Sequence, residues 1–261
     1  MTAPEEKFYK ARVVDRKDFG ADLWKVRIAP EGHVHFVAGQ YATLSAEKHG
    51  KRVERAYSIV SSPYERELEF FIELVAEGEL TPLLYQLRHG HEVMMRRSMK
   101  GRFTLDLKSG RKRHLLLATV TGVAPYVSYV RTLYHDWKHG KLPADIELFL
   151  LHGASRSWEL GYGEELLQIA GEVPWFEYVP TISRPWEDPA WQGETGRVED
   201  LLRKYADLWE CVPGKTTAYL CGHPEMIETA AGILKRRGFP KDSMEQEVYW
   251  VPPKPGGARA A

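Results

Sequence analysis

Cysteine is nearly missing from this chain: only Cys211 and Cys221 occur in 261 residues. Two thiols cannot complete a four-cysteine iron–sulfur or zinc site, so any redox chemistry here needs an organic cofactor. The pair flanks a turn at Pro213-Gly214, a spacing open to a disulfide, although two reduced thiols are the expectation for a cytoplasmic chain. A surplus of charge is missing too, since 36 Lys and Arg balance 36 Asp and Glu. A general nucleic-acid binder needs excess cations against phosphate, and that class is set aside. No apolar run approaches a membrane span, and residues 1–10 are polar and of mixed charge, unlike a secretion signal. A cytoplasmic protein with neither nucleic-acid nor membrane partner is therefore expected. His33, His35, His89 and His91 form short pairs without carboxylate or cysteine at ligand spacing, and no metal site is expected.

What is present divides in two. Up to about Asp106, segments rich in β-branched and aromatic residues (11–14, 23–28, 41–44, 56–60 and 68–75) alternate with breaks at Pro30-Glu31-Gly32, Gly39 and Ser61-Ser62-Pro63. This predicts an antiparallel barrel or sandwich. One helix interrupts it over 81–87, with Thr81 as cap and Pro82 at the first helical position. After a basic join at 108–113, short apolar runs alternate with amphipathic stretches: 114–118 then 124–137, 146–151 then 163–170, 217–220 then 224–237. That alternation predicts a doubly wound α/β domain around a parallel sheet. The expected domains are residues 1–108 and 109–261, the second ending in a proline-rich tail that reads as an extended strip.

Three segments carry the chemistry. In Arg55-Ala56-Tyr57-Ser58 an extended backbone sends Arg55 and Tyr57 to one face and Ser58 to the other, so a phosphate clamp and a stacking ring share a side. An ordinary strand with an exposed arginine has the same pattern. The turn Thr119-Val120-Thr121-Gly122-Val123-Ala124-Pro125 follows an apolar strand and opens a helix, which suits a pyrophosphate or nicotinamide; it also suits a plain strand–helix turn. At Gly78-Glu79-Leu80-Thr81-Pro82 a helix start presents free N–H groups, and simple capping explains Thr81 as well.

Taken with Ile182-Ser183-Arg184, Thr195-Gly196-Arg197, Leu220-Cys221-Gly222-His223-Pro224 and Glu247-Val248-Tyr249-Trp250, the order of these segments resembles the ferredoxin/flavodoxin–NADP(H) reductases, particularly their bacterial branch. The resemblance covers nearly the whole chain. It implies an amino-terminal FAD-binding antiparallel β-barrel, a carboxyl-terminal NADP(H)-binding α/β domain, and a flavin facing the nicotinamide between them. It places FAD against Arg55, Ala56, Tyr57, Ser58, Gly78, Leu80, Thr81, Tyr249 and Trp250. NADP(H) falls to Thr121, Gly122, Arg184, Arg197, Cys221 and Gly222, with Arg156 a further candidate. Ser58, Cys221 and Glu247 are the candidates beside the hydride step. Cys221 is read as a small polarizable wall because no histidine stands beside it as a base, and Glu247 is either a proton-carrying or charge-tuning group or a solvated carboxylate on the last strand. Two arginine forks suit the extra phosphate of NADP, so NADPH is expected over NADH.

The resemblance implies a monomeric enzyme that trades electrons with ferredoxin or flavodoxin, guided by the basic runs at 48–52 and 96–102. A reductase of free flavins, ferric chelates or quinones would keep the same cofactors, and a noncatalytic electron-transfer subunit is the reading from another class. Three departures stand out. Val120 replaces a glycine common in the family turn, Arg156 lies one place later than the usual arginine, and eleven residues follow Trp250.

Overall fold

The computed structural model describes residues 7–249. Trp250 and the tail, the subjects of two expectations, lie outside the described residues.

The first half forms one six-stranded antiparallel sheet from β1 (Phe8–Asp18), β2 (Leu23–Pro30), β3 (Tyr41–Lys48), β4 (Lys51–Ser58), β5 (Leu68–Glu73) and β6 (Glu92–Arg96), in the order β4-β3-β6-β1-β2-β5. The sheet curls until its outer strands approach, and just past β4 the Val60 N–H donates to the Glu69 carbonyl at 2.9 Å. Alternation in β1 and β2 sends Ala11, Val13, Trp24, Val26 and Ile28 inward, where Leu44, Ile59, Phe70 and Met95 meet them. The helix predicted over 81–87 is α1 (Thr81–Tyr85), and its cap is Leu80 rather than Thr81. Thr81 instead ties back to the preceding loop, its Oγ1 accepting from Val75 N–H and donating to Val75 O, each at 3.0 Å.

The second half is a parallel sheet of β7 (Arg113–Thr119), β8 (Glu147–Ala154), β9 (Phe176–Ile182), β10 (Glu194–Thr195), β11 (Thr216–Gly222) and β12 (Met244–Val248), in the order β10-β9-β8-β7-β11-β12. Strands buried on both faces need continuous apolar sequence, which Leu115-Leu116-Leu117-Ala118 supplies. Leu116 and Ala118 pack with α2 (Ala124–Lys138) and α3 (Gly163–Glu172). Leu115 and Leu117 face α4 (Val198–Leu208) and α5 (Pro224–Arg236). The order reverses between β7 and β11, and a doubly wound sheet opens its crevice at such a switch point.

A polar clasp joins the halves. The Glu69 carboxylate, fully buried on β5, accepts from Tyr162 Oη at 3.0 Å, Arg131 Nη2 at 3.1 Å and Arg27 Nη2 at 3.1 Å. Lys25 Nζ lies 3.5 Å away, and Arg131 also forks onto Glu165 of α3 at 2.6 and 2.8 Å. Nearby, Ser128 Oγ donates to the Ser61 carbonyl at 2.7 Å. The clasp is set within a shared apolar core containing Phe71 and Phe103 of the first half and Tyr126 and Tyr129 of α2.

Candidate active site

The end of β7 leads through Thr119 into a 3-10 turn, Val120–Val123, and then α2. Two clefts open on either side of this turn. The first, about 440 Å³, is walled by Arg55, Ala56, Tyr57 and Ser58 of β4, by Phe71, Ile72 and Glu73 of β5, and by Gly78, Glu79, Leu80 and Thr81. Thr121, Ala124 and Tyr249 close it from the other half. Ser58, expected on the face opposite Tyr57, reaches the same cleft because β4 ends there.

The polar groups of this cleft converge. Tyr249 Oη donates to Ser58 Oγ at 2.9 Å, so its hydroxyl is tethered inside the cleft while the residue as a whole remains 42% exposed. Behind the cleft lining, Glu247 stands beside Cys221 in the β12–β11 register. Burial pushes its carboxyl up to about 7, against a smaller pull from the Ser58 hydroxyl, and its Oε2 has no partner among the described residues. Cys221 is fully buried, and burial first, then Glu247, raises its thiol well above the usual range. It remains a neutral thiol, not a nucleophile. Burial likewise raises the Tyr57 phenol, with Arg55 opposing. Arg55 itself is exposed and pairs with Glu79 at 2.6 Å. A half-exposed tyrosine, apolar walls and an exposed arginine fit a flat conjugated ring with a phosphate tail, the shape and chemistry of FAD.

The second cleft, about 670 Å³, lies over the carboxyl ends of the parallel strands and includes Thr119, Val120, Ser155, Ser183, Arg184, Arg197, His223 and Glu225. Arg184 faces Glu187 at 3.6 Å, and Arg197 lies 3.8 Å from both Glu199 and Glu225. These loose, exposed pairs leave both guanidiniums available to an anion. Arg156 does not line the cleft; its guanidinium is taken by Glu159 at 3.0 Å and Glu187 at 2.5 Å. Two exposed arginines in a roomy polar cleft fit a phosphorylated dinucleotide.

Gly122, Cys221 and Gly222 lie beneath the junction of the clefts and line neither. A Cβ on Gly122 would sit 2.3 Å from the Cys221 carbonyl oxygen, and one on Gly222 would sit 2.2 Å from Thr119 Oγ1. Gly122 therefore lets the turn settle on the end of β11, and Gly222 lets β11 close on Thr119 of β7, whose Oγ1 accepts from His223 N–H at 2.8 Å. The two cysteines are both free.

Trp186 was not anticipated. It is 72% exposed and stands in the second cleft two residues after Arg184, offering a flat face where an adenine could stack. An aromatic directly after Arg184-Pro185 was the available signal. Of the basic runs, Arg52 and Arg96 lie over the Phe8 ring at 4.3 and 5.3 Å and Arg97 over Tyr9 at 4.3 Å, so part of that charge braces the barrel.

Comparison with known proteins agrees with this layout. Residues 10–104 match the oxidoreductase FAD-binding domain and residues 116–232 the oxidoreductase NAD-binding domain. The chain is 30% identical over 258 residues to the flavodoxin/ferredoxin–NADP reductase of Buchnera aphidicola, covering 92% of this chain and 98% of that one. It is 29% identical over 246 residues to the ferredoxin–NADP reductase of Pseudomonas aeruginosa, covering 88% and 90%. The ferredoxin NADP+ reductase of Neisseria gonorrhoeae, solved with bound FAD and NADP, shares the fold with a TM-score of 0.80 at 22% identity, covering 94% of this chain and 99% of that one.

Proposed function

The chain belongs to the ferredoxin/flavodoxin–NADP reductases and is an FAD- and NADP(H)-dependent oxidoreductase, and on that premise we propose that its two clefts serve one electron path. The reaction exchanges a hydride between NADP(H) and FAD and single electrons between FAD and a ferredoxin or flavodoxin. The observation that carries this reading is the meeting of the clefts at one turn, where Val120 borders the second and Thr121 the first. Bound in the first cleft, FAD supplies the conversion between a two-electron hydride and single electrons.

The protein groups orient and exclude water. In this reading Arg55 leaves Glu79 for the FAD pyrophosphate, joined by the backbone at Gly78, Leu80 and Thr81. Tyr57 and Tyr249 offer ring faces to the flavin, and Ala56 lets it approach β4 closely. Ser58 presents a hydroxyl toward the reacting edge, held by Tyr249. Thr121, which lines the first cleft at its junction with the second, lies where the coenzyme meets the flavin, and Gly122, Cys221 and Gly222 form the floor beneath, Cys221 as a neutral wall. Arg184 and Arg197 take the extra phosphate of NADP. We place the domain boundary between residues 108 and 109, in the connection from β6 to β7. No helix of the described residues is long and apolar enough to cross a membrane.

The test is spectroscopic. The purified protein should show flavin absorbance that NADPH bleaches at least about tenfold faster than NADH, and the reduced protein should pass electrons to a purified ferredoxin or flavodoxin. A colourless protein, or reduction with equal efficiency by both coenzymes, rejects the corresponding cofactor assignment.

Glu247 makes the site sensitive to pH. Its folded value of about 7 exceeds that of an unfolded carboxyl, so the stability it confers is complete below the unfolded value and lost as pH rises through 7. Ionised above that point, it adds negative charge beside a site that must accept a hydride. Flavin reduction by NADPH should therefore slow as pH rises through the neighbourhood of 7, and Glu247→Gln should hold the low-pH rate across that range. Stopped-flow rates at saturating NADPH read this directly, and an unchanged inflection in the variant assigns it to another group.

A further inference from the structure

His152 and Tyr178 lie on the neighbouring strands β8 and β9, buried close to the turn between the clefts. The phenol and the imidazole are partners: Tyr178 Oη is 3.1 Å from His152 Nδ1, and His152 Nε2 is 3.1 Å from the Val120 carbonyl oxygen. A carbonyl can only accept, so Nε2 carries the proton and Nδ1 takes the hydrogen bond of the phenol. Burial keeps this ring neutral, pushing its pKa down to about 4.

The carbonyl that His152 holds belongs to an unusual residue. Val120 has φ 42°, in the left-handed region where a β-branched side chain is strained, and such a conformation persists only where its surroundings hold it. Its side chain packs against two apolar clusters, and its carbonyl meets the imidazole. No peptide bond among the described residues is cis. In a trans peptide the C=O and N–H point opposite ways, so fixing the Val120 carbonyl on His152 directs the Thr121 N–H away from the buried imidazole.

We propose that His152 is a positioning residue for the coenzyme, setting the Val120–Thr121 peptide plane so that the turn meets the nicotinamide nucleotide with a fixed donor. This rests on the reading of the two clefts given above. His152 touches neither cofactor; it acts through the turn, and Tyr178 fixes its tautomer. A glycine at position 120 would take the same φ without strain and make the anchor less necessary.

Two measurements test this. Nitrogen-15 NMR of the imidazole in the FAD-loaded protein should show the Nε2–H tautomer with no titration between about pH 5 and 8, and the Nδ1–H tautomer or a titration in that range overturns the proposal. Calorimetry with NADP+ should show His152→Phe binding on the order of tenfold more weakly, because the Val120 carbonyl loses its only side-chain donor among the described residues. FAD content should be unchanged, and adding Val120→Gly to His152→Phe should restore most of the affinity. Undiminished affinity in His152→Phe, or a loss that Val120→Gly does not repair, marks His152 as a core residue only. The tautomer is read without any variant, so a His152→Phe protein that fails to fold leaves a decisive arm. Failure of the wild-type protein to bind NADP+ would instead strike the assignment of the cleft.

Discussion

Glu69→Ala is expected to destabilise the protein by about 3–5 kcal/mol, the range for removing one member of a buried ion network. The carboxylate is fully buried, and its loss takes the partner of the Tyr162 hydroxyl and an anion facing Arg131, Arg27 and Lys25. Arg131 keeps Glu165 and Glu65, which sets the estimate within this range rather than above it. Burial alone would raise the pKa of Glu69, but Arg131, Lys25, Tyr162 and Arg27 together leave it lowered. Its stabilising contribution is thus present above the unfolded carboxylate value and fades as pH falls through the folded one. Chemical denaturation at neutral pH would show the full difference between Glu69→Ala and the native chain, and at acid pH the gap should narrow. Equal midpoints at neutral pH would mean that the clasp contributes nothing net. Because the clasp joins β5 to α2 and α3, the same variant should loosen the relation of the two halves and slow flavin reduction by NADPH.

Arg184→Ala combined with Arg197→Ala is expected to raise the KM for NADPH about 10- to 100-fold, as two charge-assisted contacts to a dianion would account for. NADH lacks that phosphate and should change by less than about threefold, since neither guanidinium has another assigned role there. Both arginines start from weak carboxylate contacts of 3.6 to 3.8 Å that a phosphate must displace, so the low end of the range applies if those contacts persist. Steady-state kinetics with each coenzyme separates the outcomes. A parallel loss for NADPH and NADH would show that the arginines support the fold of the cleft instead of reading the phosphate.

Much of this architecture was legible because burial writes itself into local pattern. Leu115 to Ala118 is apolar on both faces and could hardly be anything but an interior strand of a parallel sheet. β6 was missed because in Glu-Val-Met-Met-Arg only Val93 and Met95 are buried, and the charges at both ends hide a short alternation beside a basic run. β9 carries Pro180, which argues against a strand on local grounds, yet its neighbour β8 holds it in register. For α4, buried residues at 198, 202, 205 and 206 have helical spacing, a signal overshadowed by the Arg197 motif just before it.

The site was legible to a different depth. Arg55 to Ser58 and Gly78 to Thr81 do share a cleft, as their order along the chain implied. Arg156 was less legible: a motif locates an arginine but not the Glu159 and Glu187 carboxylates that engage it. Gly122 and Gly222 read as ligand-facing glycines, whereas the missing side chain of Gly122 accommodates the Cys221–Gly222 backbone and that of Gly222 accommodates Thr119. The His152–Val120 contact spans 32 residues and depends on sheet order, which no local pattern encodes.

The burial of Cys211 and Cys221 has a practical consequence. Burial pushes the Cys211 thiol up to about 12, and Cys221 lies well above its usual value. Neither forms appreciable thiolate near neutrality, so alkylating reagents and maleimide dyes have no ready target on the native chain. One cysteine introduced on the surface can then be labelled selectively with the natural pair left in place. The same two thiols become internal reporters on denaturation, Cys211 from the α4–α5 side of the parallel sheet and Cys221 from the core shared between the halves.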